Sequence, residues 1–188
     1  MNQTSITEHS FSTGRHTTFY LAAGPEDGPL IIFTHGWPEL SLSWRHQLPF
    51  FAAMGFRAIA PDMRGYGKST VYEKHEDYRQ ELVIKDMIEL LDHLSREKAI
   101  WIGHDWGAPT AWSCALHHPD KVTAVGALSV PFSPRAEVSP MQTMRKIFKD
   151  IFFYQMYFQE PGVAEAEFEA DIEVSLRKFF FLASAENT

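Results

Sequence analysis

Apolar and polar positions along this chain follow two periods. Residues 16 to 23 alternate, with aromatics, and read as a strand; the unbroken run Leu30-Ile31-Ile32-Phe33 within 29 to 34 reads as a second strand, buried on both faces. Between them Gly24-Pro25-Glu26-Asp27-Gly28 spells a turn. Helix-period apolar positions span 42 to 54 and end at Met54-Gly55, and Phe56-Arg57-Ala58-Ile59-Ala60 returns to strand. Residues 79 to 95 form an amphipathic helix with Leu82, Met87, Leu90, Leu91 and Leu94 on its apolar face. Ala99-Ile100-Trp101-Ile102 predicts a further strand, Ala108 to Leu116 a helix that stops near His118-Pro119-Asp120, and 121 to 130 one more short strand. Such alternation specifies an α/β fold: a mostly parallel sheet flanked by helices, with ligands beyond the carboxyl ends of its strands.

The period changes at Pro131. Ile147, Ile151, Tyr154 and Phe158 fall at helical spacing, Pro161-Gly162 breaks the pattern, and an acidic amphipathic stretch runs from 164 to about 184. The pattern thus divides the chain into an α/β unit over 1 to 130 and a helical unit over 131 to 188, which is expected to lie on the sheet as a lid, most of its aromatics serving as core.

Composition narrows the partners. The chain has 188 residues, 45% of them hydrophobic, which can bury a substantial core. A net charge of −7, with no Lys/Arg run longer than a pair such as Arg145-Lys146, argues against nucleic acid or an anionic membrane and leaves small neutral molecules. The one cysteine, Cys114, excludes an internal disulfide framework and makes the reducing cytoplasm the default location. No apolar run reaches membrane-spanning length, and the polar opening Met1-Asn2-Gln3-Thr4 does not read as a signal peptide. No set of His, Cys and acidic residues has metal-ligand spacing, so neither metal nor cofactor is expected.

The chemistry concentrates in Gly103-His104-Asp105-Trp106-Gly107, between the last apolar strand and its helix. Alone the pattern reads equally well as a turn or as a nucleophile elbow with Asp in the nucleophile position. As an elbow it has a physical logic: Gly103 and Gly107 relieve crowding around a strained residue, and the positive end of the following helix favours a carboxylate. A serine attacking a saturated carbon would leave an ether that resists water, whereas a carboxylate leaves an ester that water can attack, so Asp105 suits epoxides and alkyl halides. His35-Gly36-Trp37-Pro38 follows the buried strand as an oxyanion loop would, with the Trp37 amide as one donor and the Trp106 amide as the other. His35 and His104 are expected to orient these loops, with Gly36 and Pro38 shaping the first; base rates favour a trans Trp37-Pro38 bond. The block Pro61-Asp62-Met63-Arg64-Gly65-Tyr66-Gly67-Lys68-Ser69 reads as a scaffold turn held by a charged pair, since it lacks the spacing of a phosphate cradle.

These three blocks, in this order, resemble the α/β-hydrolase fold, and His35 to Pro38 with Gly103 to Ala108 resemble epoxide hydrolases. Phe153-Tyr154-Gln155-Met156-Tyr157-Phe158-Gln159-Glu160-Pro161-Gly162-Val163-Ala164-Glu165 is similar to the cap of soluble epoxide hydrolases. The resemblance implies that Tyr154 hydrogen-bonds the epoxide oxygen while Asp105 opens the ring, and that water then releases a diol. It also implies a charge-relay acid and histidine beyond the cap, with a second cap tyrosine. After Asp105 the histidines are His117 and His118, at the far end of the elbow helix, so the chain is expected to be an amino-terminal part of such an enzyme, lacking the last strands of the fold and the base for turnover. The strand at 121 to 130 is then expected to form an edge. A haloalkane dehalogenase fragment and a non-catalytic binding module are the competing readings, and oligomeric state is not legible.

Overall fold

A computed structural model describes residues 4–134, 136–182 and 184, in two compact units divided between Ser133 and Pro134. The first unit holds β1 (Thr7–Ser12), β2 (Thr17–Ala23), β3 (Leu30–Thr34), α1 (Gln47–Ala53), β4 (Arg57–Pro61), α2 (Gln80–His93), β5 (Ala99–His104), α3 (Gly107–His117) and β6 (Val122–Leu128). Its six strands form one sheet in the order β1-β2-β4-β3-β5-β6. β4, β3, β5 and β6 run parallel, and β1 and β2 are antiparallel to their neighbours, so the sheet is mostly parallel as the alternation predicts.

Alternate residues of each strand feed opposite cores, which is why these strands read as near-continuous apolar runs. Phe19 and Leu21, Ile31 and Phe33, and Ala58 and Ala60 pack on one face with Leu48 and Ala52 of α1 and with Trp44. Tyr20 and Ala22, Leu30 and Ile32, Ile59 and Trp101 pack on the other with Met87, Leu90 and Leu91 of α2 and Ala111 and Cys114 of α3. The register sets Thr34 beside Gly103 and Gly103 beside Ala127, so the loops after β3, β5 and β6 leave the same edge of the sheet.

Several expectations change. β1 was not predicted: it is mostly polar and exposed, and its strand character comes from its register with β2. The helix expected over 42 to 54 is a 3-10 turn at Ser41–Trp44 followed by the shorter α1. On α2, Ile84 takes the core place given to Leu82, which is only half-buried. The charged pair expected within the block after β4 does not form there: Arg64 reaches Asp86 on α2 instead, through Nε at 2.7 Å and Nη2 at 2.8 Å.

That pair is buried, and it has company. Arg15 Nη2 lies 2.6 Å from the same carboxylate and 2.7 Å from Glu89, while the Arg64 guanidinium also donates to the Asp77 carbonyl and lies over the Tyr72 ring at 4.4 Å. Asp86 sits on the core face of α2, where an unpaired carboxylate would be expelled, so this network fixes the loop after β4 onto α2.

The second unit is helical: α4 (Pro140–Ile147), α5 (Tyr154–Tyr157), α6 (Val163–Glu169) and α7 (Ile172–Leu182). The single helical run expected through Ile147, Ile151, Tyr154 and Phe158 is broken after α4, where the rings of Phe148 and Phe153 stack at 4.1 Å across a turn. The stretch from 164 is likewise two helices, α6 and α7, packed through Phe168 and Phe179. Among the described residues no helix is long and apolar enough to cross a membrane.

Replacing Arg64 by Ala should leave the buried Asp86 carboxylate with Arg15 as its remaining partner and lower stability by about 2–3 kcal/mol in urea unfolding, whereas Arg64→Met combined with Asp86→Leu should cost less than Arg64→Ala alone. Equal losses for the single and the double variant would mean that the charges are not what fixes this loop.

Candidate active site

Asp105 follows β5 and stands two residues before α3 with φ +50°, in the left-handed region that a non-glycine residue occupies only under constraint. Its backbone is held on both sides: its N–H donates to the Leu128 carbonyl at 3.3 Å, and its carbonyl accepts from the Ala108 N–H at 3.0 Å. The flanking glycines are required by contact. A Cβ on Gly103 would fall 2.3 Å from the Gly107 oxygen, and one on Gly107 would fall 2.1 Å from the Thr34 oxygen. The Thr34 hydroxyl fastens this junction, donating to the Gly107 carbonyl at 3.0 Å.

The loop after β3 closes on the carboxylate. The Trp37 N–H donates to Asp105 Oδ1 at 2.9 Å, a distance suited to an oxyanion donor. Gly36 makes that approach possible, because a Cβ there would lie 2.3 Å from the Asp105 Cβ. The Trp37-Pro38 bond is cis, against the expected trans. Trp106 occupies the N-cap of α3 with more than half of its surface exposed.

His35 is buried and both ring nitrogens are engaged. Its Nε2 accepts from the Met63 N–H at 2.9 Å, which leaves the proton on Nδ1, and Nδ1 donates to the Gly36 carbonyl at 2.9 Å. Burial lowers its pKa below the ordinary 6.5, keeping the ring neutral. Tyr66 stands edge-on to this ring at 5.0 Å; burial, with the Asp105 charge adding, pushes its phenol up to about 12. His104 Nδ1 lies 3.4 Å from Glu39 Oε2 at the end of the same loop.

Beneath them Asp62 works through backbone amides. Its Oδ1 accepts from the Ser41 N–H and its Oδ2 from the Lys68 N–H, each at 2.9 Å, and Gly67 turns at φ +53° where a Cβ would strike that carboxylate. A cavity of about 280 Å³ opens beside the elbow, lined by His35, Gly36, Tyr66, Gln80, Trp106 and Thr110. Among the described residues no group of three or more His, Cys, Asp or Glu side chains could hold a metal ion.

Tyr154 is the first residue of α5 in the second unit, where its ring packs against Phe153 and Phe158 and its hydroxyl accepts from Gln155 Nε2 at 3.1 Å. The first unit therefore brings together Asp105, Trp37, Trp106, His35, Gly36, Pro38 and His104, and Tyr154 is described apart from them. A carboxylate on a strained turn with one oxygen held by a loop amide, beside a small cavity, is equipped to attack an electrophilic carbon with its other oxygen.

Residues 29–181 match the family model for the alpha/beta hydrolase fold. The chain belongs to that family. This α/β-hydrolase is 48% identical over 156 residues to Epoxide hydrolase A of Mycobacterium tuberculosis (strain ATCC 25618 / H37Rv), covering 83% of this chain and 48% of the relative. It is 45% identical over 154 residues to Bifunctional epoxide hydrolase 2 of Sus scrofa, covering 81% of this chain and 27% of that one. Among solved structures, Epoxide Hydrolase A from Mycobacterium thermoresistibile superposes with a TM-score of 0.90 at 44% identity, over 94% of this chain and 56% of that chain. The chain thus spans about half the length of the first relative and about a quarter of the second.

Three contributors to this site were not expected from the sequence: Glu39 as the partner of His104, Met63 as the donor to His35, and Tyr66 against the His35 ring. Glu39 directly follows Pro38 and was open to notice as an acid on the loop after β3; the other two depend on where the loop after β4 returns.

Gly107→Ala should lower stability by about 3 kcal/mol or more, since the added methyl meets backbone that cannot move aside, while Gly14→Ala, with nothing within 4 Å, should change it by less than about 0.5 kcal/mol. Equal tolerance of both in thermal melts would show that β3 and the elbow are not in such close contact.

Proposed function

We propose that this chain carries the ring-opening half of an epoxide hydrolase, with Asp105 as the nucleophile. The observation that carries the reading is the 2.9 Å bond from the Trp37 N–H to Asp105 Oδ1 on a left-handed elbow, supported by the similarity to epoxide hydrolases. Asp105 Oδ2 attacks a ring carbon, the C–O bond on the far side breaks, and the oxygen takes a proton from the Tyr154 hydroxyl, giving a 2-hydroxyalkyl ester. The role of Tyr154, and of the second unit as a cap over the site, rests on the resemblance of residues 153 to 165. The substrate is a small neutral epoxide, in keeping with the net charge of −7 and the absence of basic runs, and the reaction takes place in the cytoplasm.

Oδ1 becomes the ester carbonyl oxygen. When water adds to that carbonyl, the negative charge gathers on the same Oδ1, where the Trp37 and Trp106 amides receive it, and collapse returns the carboxylate and releases a diol. The added water must lose a proton to a base. His35 is occupied at both nitrogens, His104 faces Glu39, and His117 ends α3, about 16 Å along the helix at 1.5 Å per residue. The 188 residues tested alone are therefore expected to stop at the ester.

Incubation with styrene oxide followed by intact mass spectrometry tests the reading. The chain should gain the mass of one epoxide, Asp105→Asn should gain none, and Tyr154→Phe should label about 100-fold more slowly. Equal labelling of wild type and Asp105→Asn would overturn Asp105 as nucleophile, and steady diol release over many turnovers would show that a base does act within these residues.

A further inference from the structure

The Gly36-Trp37 peptide joins two hydrogen bonds end to end. Its N–H donates to Asp105 Oδ1 at 2.9 Å, and its carbonyl accepts from His35 Nδ1 at 2.9 Å. The opposite nitrogen of that ring accepts from the Met63 N–H, also at 2.9 Å. Every bond in this line points the same way, from Met63 through the imidazole and the peptide to the carboxylate.

We propose that His35 is a positioning residue for the oxyanion site: as a neutral imidazole protonated on Nδ1, it orients and polarises the Gly36-Trp37 peptide so that the Trp37 N–H meets the charge that develops on Asp105 Oδ1. The proposal rests on the reading of Asp105 as the nucleophile.

Three observations support it. Donation into the Gly36 carbonyl draws electron density toward that oxygen and makes the amide hydrogen on the same peptide a stronger donor; hydrogen bonds in such a line reinforce one another. The Gly36 carbonyl also accepts from the Glu39 N–H at 3.0 Å, so the imidazole is one of two donors on that oxygen and the one supplied by a side chain; with no side chain on Gly36, these two grips on the carbonyl set where the N–H points. Finally, the ring itself is fixed from outside. Tyr66 stands edge-on to it, and the Met63 amide belongs to the loop that the buried Arg64–Asp86 pair holds to α2. A protonated ring would present an N–H to the Met63 N–H, and the other neutral tautomer would turn a lone pair toward the Gly36 carbonyl, so only one protonation state completes the line.

Two substitutions separate this role from simple packing. In His35→Asn the amide nitrogen can stand where Nδ1 stood and donate to Gly36; in His35→Gln the amide reaches the Nε2 position, so its oxygen can still accept from Met63 while the side-chain donor to Gly36 is lost and the Glu39 N–H alone remains. In the wild-type chain, ring 15N shifts should show Nδ1 protonated and Nε2 bare. The Trp37 amide proton should move upfield in His35→Gln and return close to its wild-type position in His35→Asn, with similar melting temperatures for the two. Once the styrene oxide ester has formed, hydroxylamine should attack its carbonyl, releasing the diol and leaving an aspartyl hydroxamate; this should slow by about tenfold in His35→Gln and stay within about threefold of wild type in His35→Asn. An Nε2-protonated wild-type ring, a Trp37 amide unmoved in His35→Gln, or equal effects of the two substitutions would overturn the proposal. Failure of wild-type chain to form the ester would overturn the reading of Asp105 instead, while the ring tautomer and the amide shift would still decide the role of His35.

Discussion

Three backbone segments meet around Asp105 more closely than any side chain between them would permit. Gly103 and Gly107 let the end of β5 and the start of α3 press against each other and against Thr34, and Gly36 brings the loop after β3 onto the Asp105 side chain itself. This contact is the constraint on which the site depends. It forces the left-handed turn at Asp105 and brings the carboxylate within reach of the Trp37 amide. An alanine at any of these positions would separate the parts and with them the chemistry.

The contact would be of little use if the loops around it were loose. The loop after β4 is fastened to α2 by Arg64 and Asp86 in the interior, and Asp62 gathers the amides of Ser41 and Lys68 beneath it. That loop carries Met63 and Tyr66, which touch His35, and His35 in turn holds the peptide that reaches Asp105. A buried ion pair is weak evidence for net stability, because its desolvation offsets much of its attraction. Here its consequence is positional: it fixes the loop from which the Gly36-Trp37 peptide is held.

The parts of the fold legible in the sequence are those set by local pattern. β3 was readable because both of its faces are buried, and the elbow because only glycine fits where backbones touch. β1 was not, since Thr7 to Ser12 has little apolar pattern of its own and depends on β2 for its register. The break between α4 and α5 was hidden because the apolar spacing continues through a turn closed by Phe148 and Phe153. In the site, the Trp37 amide and Asp105 were legible as loop and elbow. The partners of Arg64 and His35 were not, because they lie on elements far away in sequence; the one local sign was an aspartate, Asp86, on the apolar face of α2.

What unites these observations is one oxygen, Asp105 Oδ1, held by the Trp37 amide; the proposed function requires that hold to persist through the reaction of the carboxylate. A crystal structure of the chain after exposure to styrene oxide tests this most directly. It should show an ester through Oδ2 of Asp105, with Oδ1 still within hydrogen-bonding distance of the Trp37 N–H. An adduct on another side chain, or an ester whose carbonyl has turned away from Trp37, would contradict it.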